Sequence, residues 1–331
     1  MNRGCRQMLE NQANQLPARA LLRPDGLYLA LRAIAPAELR DAFMQETIAR
    51  VPAAESFVHI AREDVGKAAP GTAPAGLIFH VARCGSTLIS QLLRTHDKLV
   101  VYAEPLPFNE ILLPPHQWPR HELVAALRSL GDAFARHACR PYVLKFSSWN
   151  TLFCDVLAEA FPASPWVFSL RDPVEVGVSL LRQPAGWMRA TEASSGELGR
   201  YVDPEGAARS PEEFVARLYG AFCAAVGRLD AGRGRLVRYE TLPAAAWEIV
   251  APHFSLSVDG RQRERMAQAA RINAKAPVGK AAEFSSDAAT KQAAASASLR
   301  QAIEAFARPP LERLERLHAQ RGTVPESHLA G

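Results

Sequence analysis

The stretch HVARCGSTLISQLL, residues 80–93, decides the fold of this chain. It continues the apolar segment GLIFHVA (76–82), which has the length and composition of a buried strand. After Gly85, the residues STLISQLLRT predict a helix. A strand that turns at a glycine into a helix is a common site for anions, because the N–H groups and the dipole of a helix N-terminus attract negative charge.

This loop lacks the residues of a nucleoside-triphosphate loop. The Walker A pattern is GxxxxGK[ST]. If Gly85 is its second glycine, His80 stands in place of the first glycine and Ser86 in place of the lysine. Hydrolysis of ATP or GTP is therefore disfavoured.

The loop nevertheless retains donors for an anion. Gly85 allows close approach of the backbone, and Arg83 adds a permanent charge with a planar fork of donors. We predict that Arg83 binds an anion together with the backbone and hydroxyl donors of the five residues that follow it, namely Cys84, Gly85, Ser86, Thr87 and Leu88.

Short apolar runs alternate with helical patterns along the middle of the chain. This order predicts a three-layer α/β fold, P-loop-like, with a central parallel sheet of about five strands. Ligands of such sheets bind beyond the carboxyl ends of the strands. The predicted strands are GLIFHVA (76–82), LVVYAEP (99–105), YVLKFSS (142–148), WVFSLRD (166–172) and RLVRYET (235–241).

Helical extensions are predicted on both sides of this core. Residues 1–73 form a mostly helical N-terminal region, with PAELRDAFMQETIARV as its clearest amphipathic segment, and end near the Pro/Gly/Ala-rich KAAPGTAPAG. Residues 74–260 form the core, and residues 261–331 add a loop and helices that complete the same domain. The stretch 184–210, rich in Gly, Ser, Pro and charge, is predicted to be a long loop.

Composition argues against several classes of protein. The net charge of +5 is spread along the chain without a Lys/Arg run, which disfavours nucleic-acid binding. Five cysteines without a CxxC pair suggest neither a disulfide framework nor a zinc site. The polar N-terminus does not look like a signal peptide, and no apolar run approaches the ~18 residues of a membrane span. We therefore expect a cytoplasmic protein.

Three motifs resemble those of sulfotransferases that use 3′-phosphoadenosine 5′-phosphosulfate (PAPS). RCGSTLISQLL is similar to their 5′-phosphosulfate loop, which has a Lys or Arg, a small residue, Gly and two Ser/Thr residues. SLRDPVEVGVSLL contains Arg171 and, eight positions later, Ser179, as in their 3′-phosphate motif. LVRYETL (236–242) is similar to their "vrYEdL" strand. The resemblance covers roughly residues 74–260, and the Ala- and Arg-rich composition suggests a bacterial-type member.

This resemblance implies an activity. A sulfuryl group would pass in line from PAPS to a hydroxyl or amine of a small-molecule or carbohydrate acceptor, with a general base and without a metal. Arg171 and Ser179 would bind the 3′-phosphate. Two other functions stay open: a P-loop phosphotransferase or kinase of a small metabolite, and a nucleotide-binding protein without catalytic activity.

The resemblance also suggests catalytic residues. Arg83 and Lys145 would stabilise the charge of the leaving group. Members that modify small molecules place a base histidine two residues after that lysine, but here the position is Ser147. Glu104 in VVYAEPLPF, where the "EP" wording resembles carbohydrate-type and bacterial members, is the expected general base. The alternatives are that Glu104 only forms an ion pair with Lys145 or Arg83, and that His116 is the base.

Other residues allow two interpretations. Cys84 is either a reactive thiol at a helix N-terminus or a small residue where the family often has Ser. Lys275 and Lys280 are candidates for a basic segment that closes over the cofactor. Trp149 and Trp187 belong either to an acceptor pocket or to the core.

Overall fold

The computed structural model describes residues 15–67, 72–113, 118–190, 195–203, 208–271 and 287–320. Its strands are β1 (Gln15–Arg23), β2 (Gly26–Ala33), β3 (Glu55–Ala61), β4 (Gly76–His80), β5 (Val100–Ala103), β6 (Tyr142–Lys145), β7 (Trp166–Leu170) and β8 (Gly234–Arg238).

The α-helices are interspersed with shorter 3-10 and π-helical turns. In chain order, the helices are α1 (Met44–Arg50), α2 (Ser86–Arg94), α3 (Leu106–Leu112), α4 (Arg120–Ala138), α5 (Cys154–Ala160), α6 (Pro173–Arg182), α7 (Gly186–Ala190), α8 (Ser195–Val202), α9 (Pro211–Val226), α10 (Ala251–His253), α11 (Gly260–Ala269), α12 (Ala288–Ala293), α13 (Ala297–Ala302) and α14 (Arg308–Ala319).

The core is a five-stranded parallel sheet in the order β5-β6-β4-β7-β8. β4 pairs in parallel with β6 on one side and with β7 on the other. Every residue of β4 and β7 is buried, as expected for strands covered by helices on both faces. All five predicted strands are present, and the α/β fold class with a parallel sheet is confirmed.

Alternate residues of the strands enter two separate hydrophobic cores. Ile78 of β4 packs in the core that contains α2 and α11, whereas Leu77 and Phe79 pack in the core that contains α4 and α9. The sheet is therefore the middle of three layers, as predicted. Because its strands run parallel, the segments that follow β4, β5, β6 and β7 all emerge at the same edge.

The N-terminal region differs from the prediction of mostly helix. Within residues 15–67, β1, β2 and β3 form an antiparallel sheet, and α1 is the one α-helix of this part. The sequence GLYLALRA of β2 buries Leu27, Leu29 and Leu31 in alternation with more exposed residues, which is the period of a strand. The helix-favouring composition of Leu, Ala and Arg obscured this period, and the turn sequence RPDG that joins β1 to β2 was the missed signal.

The stretch 184–210 also differs from the predicted long loop. Its described parts include the short helices α7 and α8. Leu198 and Val202 lie four residues apart on one face of α8, and both are buried. Burial of this pair stabilises a helix in a segment whose Gly, Ser and charged residues suggested a loop.

Polar contacts attach the N-terminal sheet to the core. Glu110 of α3 accepts the backbone N–H of Ala20 in β1 at 2.7 Å and pairs with Arg19. His137 of α4 has Nε2 at 2.7 Å from the carbonyl of Ile34 and Nδ1 at 2.6 Å from the hydroxyl of Tyr102. Neutral His137 satisfies both contacts, since its Nε2–H donates and its Nδ1 accepts.

Candidate functional site

The loop after β4 has the backbone conformation that its glycine permits. Gly85 has φ 84° and is the N-cap of α2. A Cβ at this position would lie 2.7 Å from Cδ1 of Leu242 and 2.9 Å from Cδ2 of Tyr239. Arg83, two residues earlier, also has a positive φ of 62°. Both the left-handed backbone and the close neighbours therefore favour glycine at position 85.

Helix α2 presents its first N–H groups directly after this loop. The Ile89 N–H donates to the Gly85 carbonyl at 3.1 Å, so the N–H groups of Ser86, Thr87 and Leu88 precede the first bond of the helical ladder. These are the residues predicted to form an anion cradle, and N–H groups at the start of a helix suit that role.

The Arg83 guanidinium lies at the far end of another helix. Its Nη2 donates to the Gln183 carbonyl at 2.9 Å. Gln183 is the C-cap of α6, where the helix dipole favours a cation. Arg83 thereby connects the loop to the C-terminal end of α6.

Arg171 emerges from β7 near the opposite, N-terminal end of α6. Its side chain is 4% exposed and contacts two carboxylates, with Nε 2.6 Å from Glu175 and Nη2 2.6 Å from Asp287. Lys291 of α12 also pairs with Asp287, at 2.8 Å. Burial raises the pKa of the Asp287 carboxyl, but the bonds and charges of Lys291 and Arg171 outweigh it, so the pKa is lowered below its ordinary value.

Ser179 shares a face of α6 with the partner of Arg171. Glu175 and Ser179 are four residues apart, which places them on the same side of the helix. The Arg171 side chain runs along α6 to Glu175 and therefore toward this side. Asp172 holds the start of α6 by accepting the N–H groups of Val174 and Glu175 at 2.9 and 3.2 Å.

Tyr239 joins the three sequence motifs. Its ring is among the neighbours that a Cβ at position 85 would meet. The guanidinium carbon of Arg171 lies 4.0 Å from the centroid of the same ring. The LVRYETL segment thus contacts both the glycine loop and the arginine that follows β7, although the three segments are far apart in the chain.

Glu104 and Lys145 form an ion pair at the ends of neighbouring strands. Lys145 Nζ donates to Glu104 Oε1, while the Glu104 backbone N–H donates to the Lys145 carbonyl at 2.6 Å. The Lys145 side chain is 1% exposed, whereas that of Glu104 is 27% exposed. Ser147 donates to the other Glu104 oxygen at 3.3 Å. An ion pair of Glu104 with Lys145 or Arg83 was one of the alternatives that the sequence left open, and the structure contains the pair with Lys145.

Lys145 keeps the Glu104 carboxylate ionised. Burial raises the pKa of Glu104, but the charge of Lys145, with smaller contributions from His80 and Ser147, lowers it below its ordinary value. Glu104 also has a positive φ of 53°, so the backbone holds it in a sparsely populated conformation where β5 ends.

His80 connects the two halves of the site, namely the glycine loop and the strand ends that carry Glu104 and Lys145. Its Nδ1 lies 2.8 Å from the Val81 carbonyl in the glycine loop, and its Nε2 lies 2.9 Å from the Phe146 carbonyl after β6. Burial, followed by the charge of Lys145, lowers the pKa of His80 to about 4. Burial thus favours the neutral ring, whose single N–H donates to one of these two carbonyls.

Cys84 is completely buried, and burial raises the pKa of its thiol. The Ser169 hydroxyl donates to the Cys84 carbonyl at 3.2 Å. A buried thiol with a raised pKa is a poor nucleophile at neutral pH, so these contacts favour the interpretation as a small packing residue.

The remaining predicted residues fall into two groups. Trp149 is 2% exposed and packs in the core, whereas Trp187 is half-buried and donates its indole N–H to the Ser148 hydroxyl at 3.0 Å. The second group lies outside the described residues and comprises His116, Lys275 and Lys280.

Three contacts of the site had no usable signal in the sequence. Asp287 and Lys291 lie more than a hundred positions after Arg171, and nothing in their local sequence points to it. Phe43, from the N-terminal region, has its ring centroid 5.3 Å from Lys145 Nζ. Each contact depends on how distant segments pack.

The described residues lack two features. In that part of the chain, no helix is long and apolar enough to cross a membrane. The same residues contain no group of three or more His, Cys, Asp or Glu side chains that could hold a metal ion.

Comparison with known proteins finds similarity among solved structures. The sulfotransferase domain from the curacin biosynthetic pathway is 17% identical, covers 77% of this chain and 100% of its own, and has a TM-score of 0.43. The sulfotransferase domain of the Synechococcus PCC 7002 olefin synthase is 16% identical over 72% of this chain and 96% of its own, with a TM-score of 0.44. A sulfotransferase from Alicyclobacillus acidocaldarius is 15% identical over 75% and 96%, with a TM-score of 0.40.

All three are sulfotransferases, the family that the sequence motifs resemble. No family model and no curated protein sequence matches the chain. Such distant similarity carries no information on the donor or the acceptor, so the function of this chain rests on its own residues.

Proposed function

We propose that this protein is a sulfotransferase that uses PAPS as donor and a hydroxyl or amine as acceptor. One observation carries the proposal: Tyr239 contacts both the anion cradle at Gly85 and the guanidinium of Arg171. The three motifs that resemble the family therefore lie close together in space, which supports a donor with two anionic ends.

The residues present fit such a donor at two places. The N–H groups of Ser86, Thr87 and Leu88 and the close approach at Gly85 suit a 5′-phosphosulfate. Arg171, with Ser179 on the adjoining face of α6, suits a 3′-phosphate. Arg171 pairs with the carboxylate of Asp287, and this pairing with an anion supports the proposal.

PAPS supplies a sulfuryl group, whose transfer to an acceptor releases 3′,5′-ADP. The chain's own contribution is to orient the donor and to stabilise charge that develops on the leaving oxygen. Lys145, buried at the end of β6, and Arg83, within the loop, are the cations proposed for this role. Lys145 is fixed by Glu104, so little reorganisation is needed during reaction.

Glu104 is the group proposed to accept the acceptor's proton. Its lowered pKa means that the carboxylate is ionised at neutral pH and is therefore able to take a proton. A carboxylate of lowered pKa is a weak base, so proton transfer would accompany the formation of the new bond rather than precede it. Its partly exposed side is the direction from which an acceptor would approach.

The ion pair of Glu104 with Lys145 also favours a sulfotransferase over a kinase. A kinase needs a cation-binding carboxylate near the phosphates, and Glu104, at the end of β5, is the candidate that the sequence offers. Its Oε1 is bonded to the Lys145 ammonium and its Oε2 to the Ser147 hydroxyl. This arrangement disfavours magnesium coordination by Glu104.

The proposal is tested by thermal unfolding in the presence of 3′,5′-ADP, 5′-AMP, ADP, or ATP with magnesium. A ligand that binds only the folded state raises the melting temperature. We expect stabilisation by 3′,5′-ADP that Arg171→Ala abolishes and that the exposed control Arg313→Ala retains. A response to ATP with magnesium alone would instead indicate a kinase.

A second measurement separates an enzyme from a binding protein. PAPS is incubated with a panel of alcohols, phenols, sugars and amines, and release of 3′,5′-ADP is followed. We expect acceptor-dependent release for at least one class. Tight 3′,5′-ADP binding without transfer to any member of the panel would favour the non-catalytic alternative.

A further inference from the structure

A cavity lies at the opposite edge of the parallel sheet from the candidate site. Its volume is about 330 Å³, and it is bounded by residues 36–40, the end of α2, the start of β5 and Arg140. This volume falls at the lower end of the range of small-molecule sites, which is roughly 300–1,000 Å³.

Three arginines line this cavity: Arg40, Arg94 and Arg140. Each donates to a backbone carbonyl that orients it. Arg40 Nε donates to the Ala37 carbonyl at 3.0 Å, Arg140 Nη1 donates to the Asp97 carbonyl at 2.9 Å, and Arg94 Nη1 donates to the Asp41 carbonyl. Backbone carbonyls fix the directions of these guanidinium groups without neutralising their charge.

Within the described part of the chain, none of the three arginines has a carboxylate oxygen within 4.0 Å. The buried Nε of Arg94 has no hydrogen-bond partner among the described residues. A buried guanidinium N–H without a partner is costly, so a ligand that accepts from it is favoured.

The neighbouring acids are bonded elsewhere. Asp97, in the cavity wall, accepts from Arg265 at 2.9 Å. Asp41, whose charge also acts on Arg94, accepts from Arg50 at 2.8 Å and from Thr47 at 2.7 Å. The cavity therefore keeps a positive excess.

The rest of the wall contains the polar residues Gln91, Thr95, His96 and Asp97 and an aliphatic patch. The patch includes Leu39, Leu99, Val100 and Val101, all of them buried. A ligand that satisfies this surface has an anionic group for the arginines and a compact apolar body for the aliphatic wall.

We propose that this cavity binds a small phosphate monoester, with the phosphate held by Arg40, Arg94 and Arg140 and its apolar part against Leu39 and Leu99. A phosphate dianion matches three guanidinium groups better than a single carboxylate does, and guanidinium forks suit its oxygens. The proposal is independent of the sulfotransferase activity, since no residue of the candidate site lines this cavity.

The test is calorimetric titration of the full chain with phenyl phosphate and with benzoate. Arg40 and Arg140 are exposed, so the double variant Arg40→Gln/Arg140→Gln should fold. We expect it to weaken phenyl phosphate binding by about tenfold or more, the scale of lost charge-assisted hydrogen bonds. The control Arg261→Gln/Arg313→Gln removes the same charge at exposed positions elsewhere and should change the affinity less than twofold.

Other results overturn the proposal. Wild-type protein that binds no phenyl phosphate at millimolar concentration excludes the site. Equal weakening in both double variants shows a general charge effect, and unchanged affinity in Arg40→Gln/Arg140→Gln places the ligand elsewhere, including at the glycine loop. Benzoate binding as tightly as phenyl phosphate contradicts the choice of a phosphate.

Discussion

The two halves of the candidate site differ in how their cations are compensated. On the half proposed for the acceptor, Lys145 forms an ion pair with one carboxylate, that of Glu104. On the half proposed for the donor, Arg171 meets two carboxylates, Glu175 and Asp287. The charge of Lys145 is thus balanced by a single carboxylate. Arg171 instead pairs with Glu175 of the helix that follows it and with Asp287 from a distant segment.

This difference indicates separate tasks. A one-to-one pair fixes both side chains, which suits groups that take part in chemistry. A guanidinium whose second partner, Asp287, is 52% exposed can exchange that partner for another anion. Changes on the first half should therefore alter turnover, and changes on the second should alter donor affinity.

The largest effect is expected for Glu104→Gln. The amide preserves shape and can still accept from Lys145 but cannot take a proton, so turnover should fall by about two orders of magnitude or more. Turnover is measured as acceptor-dependent release of 3′,5′-ADP, and affinity for 3′,5′-ADP should stay within a few-fold of wild type. The exposed control Glu264→Gln should have no effect. Near-normal turnover in Glu104→Gln would remove Glu104 from the proposed role.

Two buried histidines should make the fold sensitive to acid: His80, at the junction between the halves, and His137, between the N-terminal sheet and the core. The pKa of His80 and that of His137 are both lowered from 6.5 to about 4 by burial. Between these values the unfolded chain binds more protons, so stability is complete above pH 6.5 and is lost as the pH falls toward 4. Over this pH range, the loss of folding free energy due to each histidine is about 3 kcal/mol at most.

The measurement is the urea midpoint at several pH values from 7 to 4.5, with the exposed His121→Gln variant as control. Wild type and control should lose stability in parallel below pH 6.5. A midpoint that stays constant from pH 6.5 to 5 would contradict the neutral state assigned to His80 and His137.

The parallel sheet and the loop could be predicted from sequence because their signals are local. The signals of the loop lie within one stretch of sequence: GLIFHVA predicts a strand, the glycine a turn and the amphipathic run a helix. Arg171 and Ser179 have a fixed spacing on one strand-helix unit. The position of Glu104 and Lys145 at strand ends on one edge of the sheet also followed from the parallel order, whereas the pairing of β5 with β6 is known only from the structure.

The N-terminal sheet and Asp287 could not be predicted in the same way. In β1 and β2, residues such as Leu31 and Ala20 favour helices by composition, and tertiary pairing overrides that preference. Asp287 reaches Arg171 from 116 positions away, so only the packing of α12 against α6 brings them together. The residues around Asp287 therefore do not predict its contact with Arg171.

Gly85→Ala tests the donor half at its backbone. The left-handed conformation costs a non-glycine residue about 1–2 kcal/mol, and the new Cβ would collide with Leu242 and Tyr239. We expect a loss of about tenfold in 3′,5′-ADP affinity, read by calorimetry, with a lower melting temperature. Gly186→Ala is the matched control, because a Cβ there meets nothing within 4 Å. Equal affinities for the two variants would show that the loop does not hold the nucleotide.

The smallest effect, and the sharpest test of the contrast between the halves, is expected for Asp287→Asn. Removing this carboxylate frees Arg171 from a competing anion, so 3′,5′-ADP should bind about two- to fivefold more tightly, the scale of a partly exposed ion pair. Glu240→Gln makes the same charge change at an exposed position next to Tyr239 and serves as control. Tightening in both variants would show a general electrostatic effect. Weaker binding in Asp287→Asn alone would show that Asp287 positions Arg171 for the donor instead of competing with it.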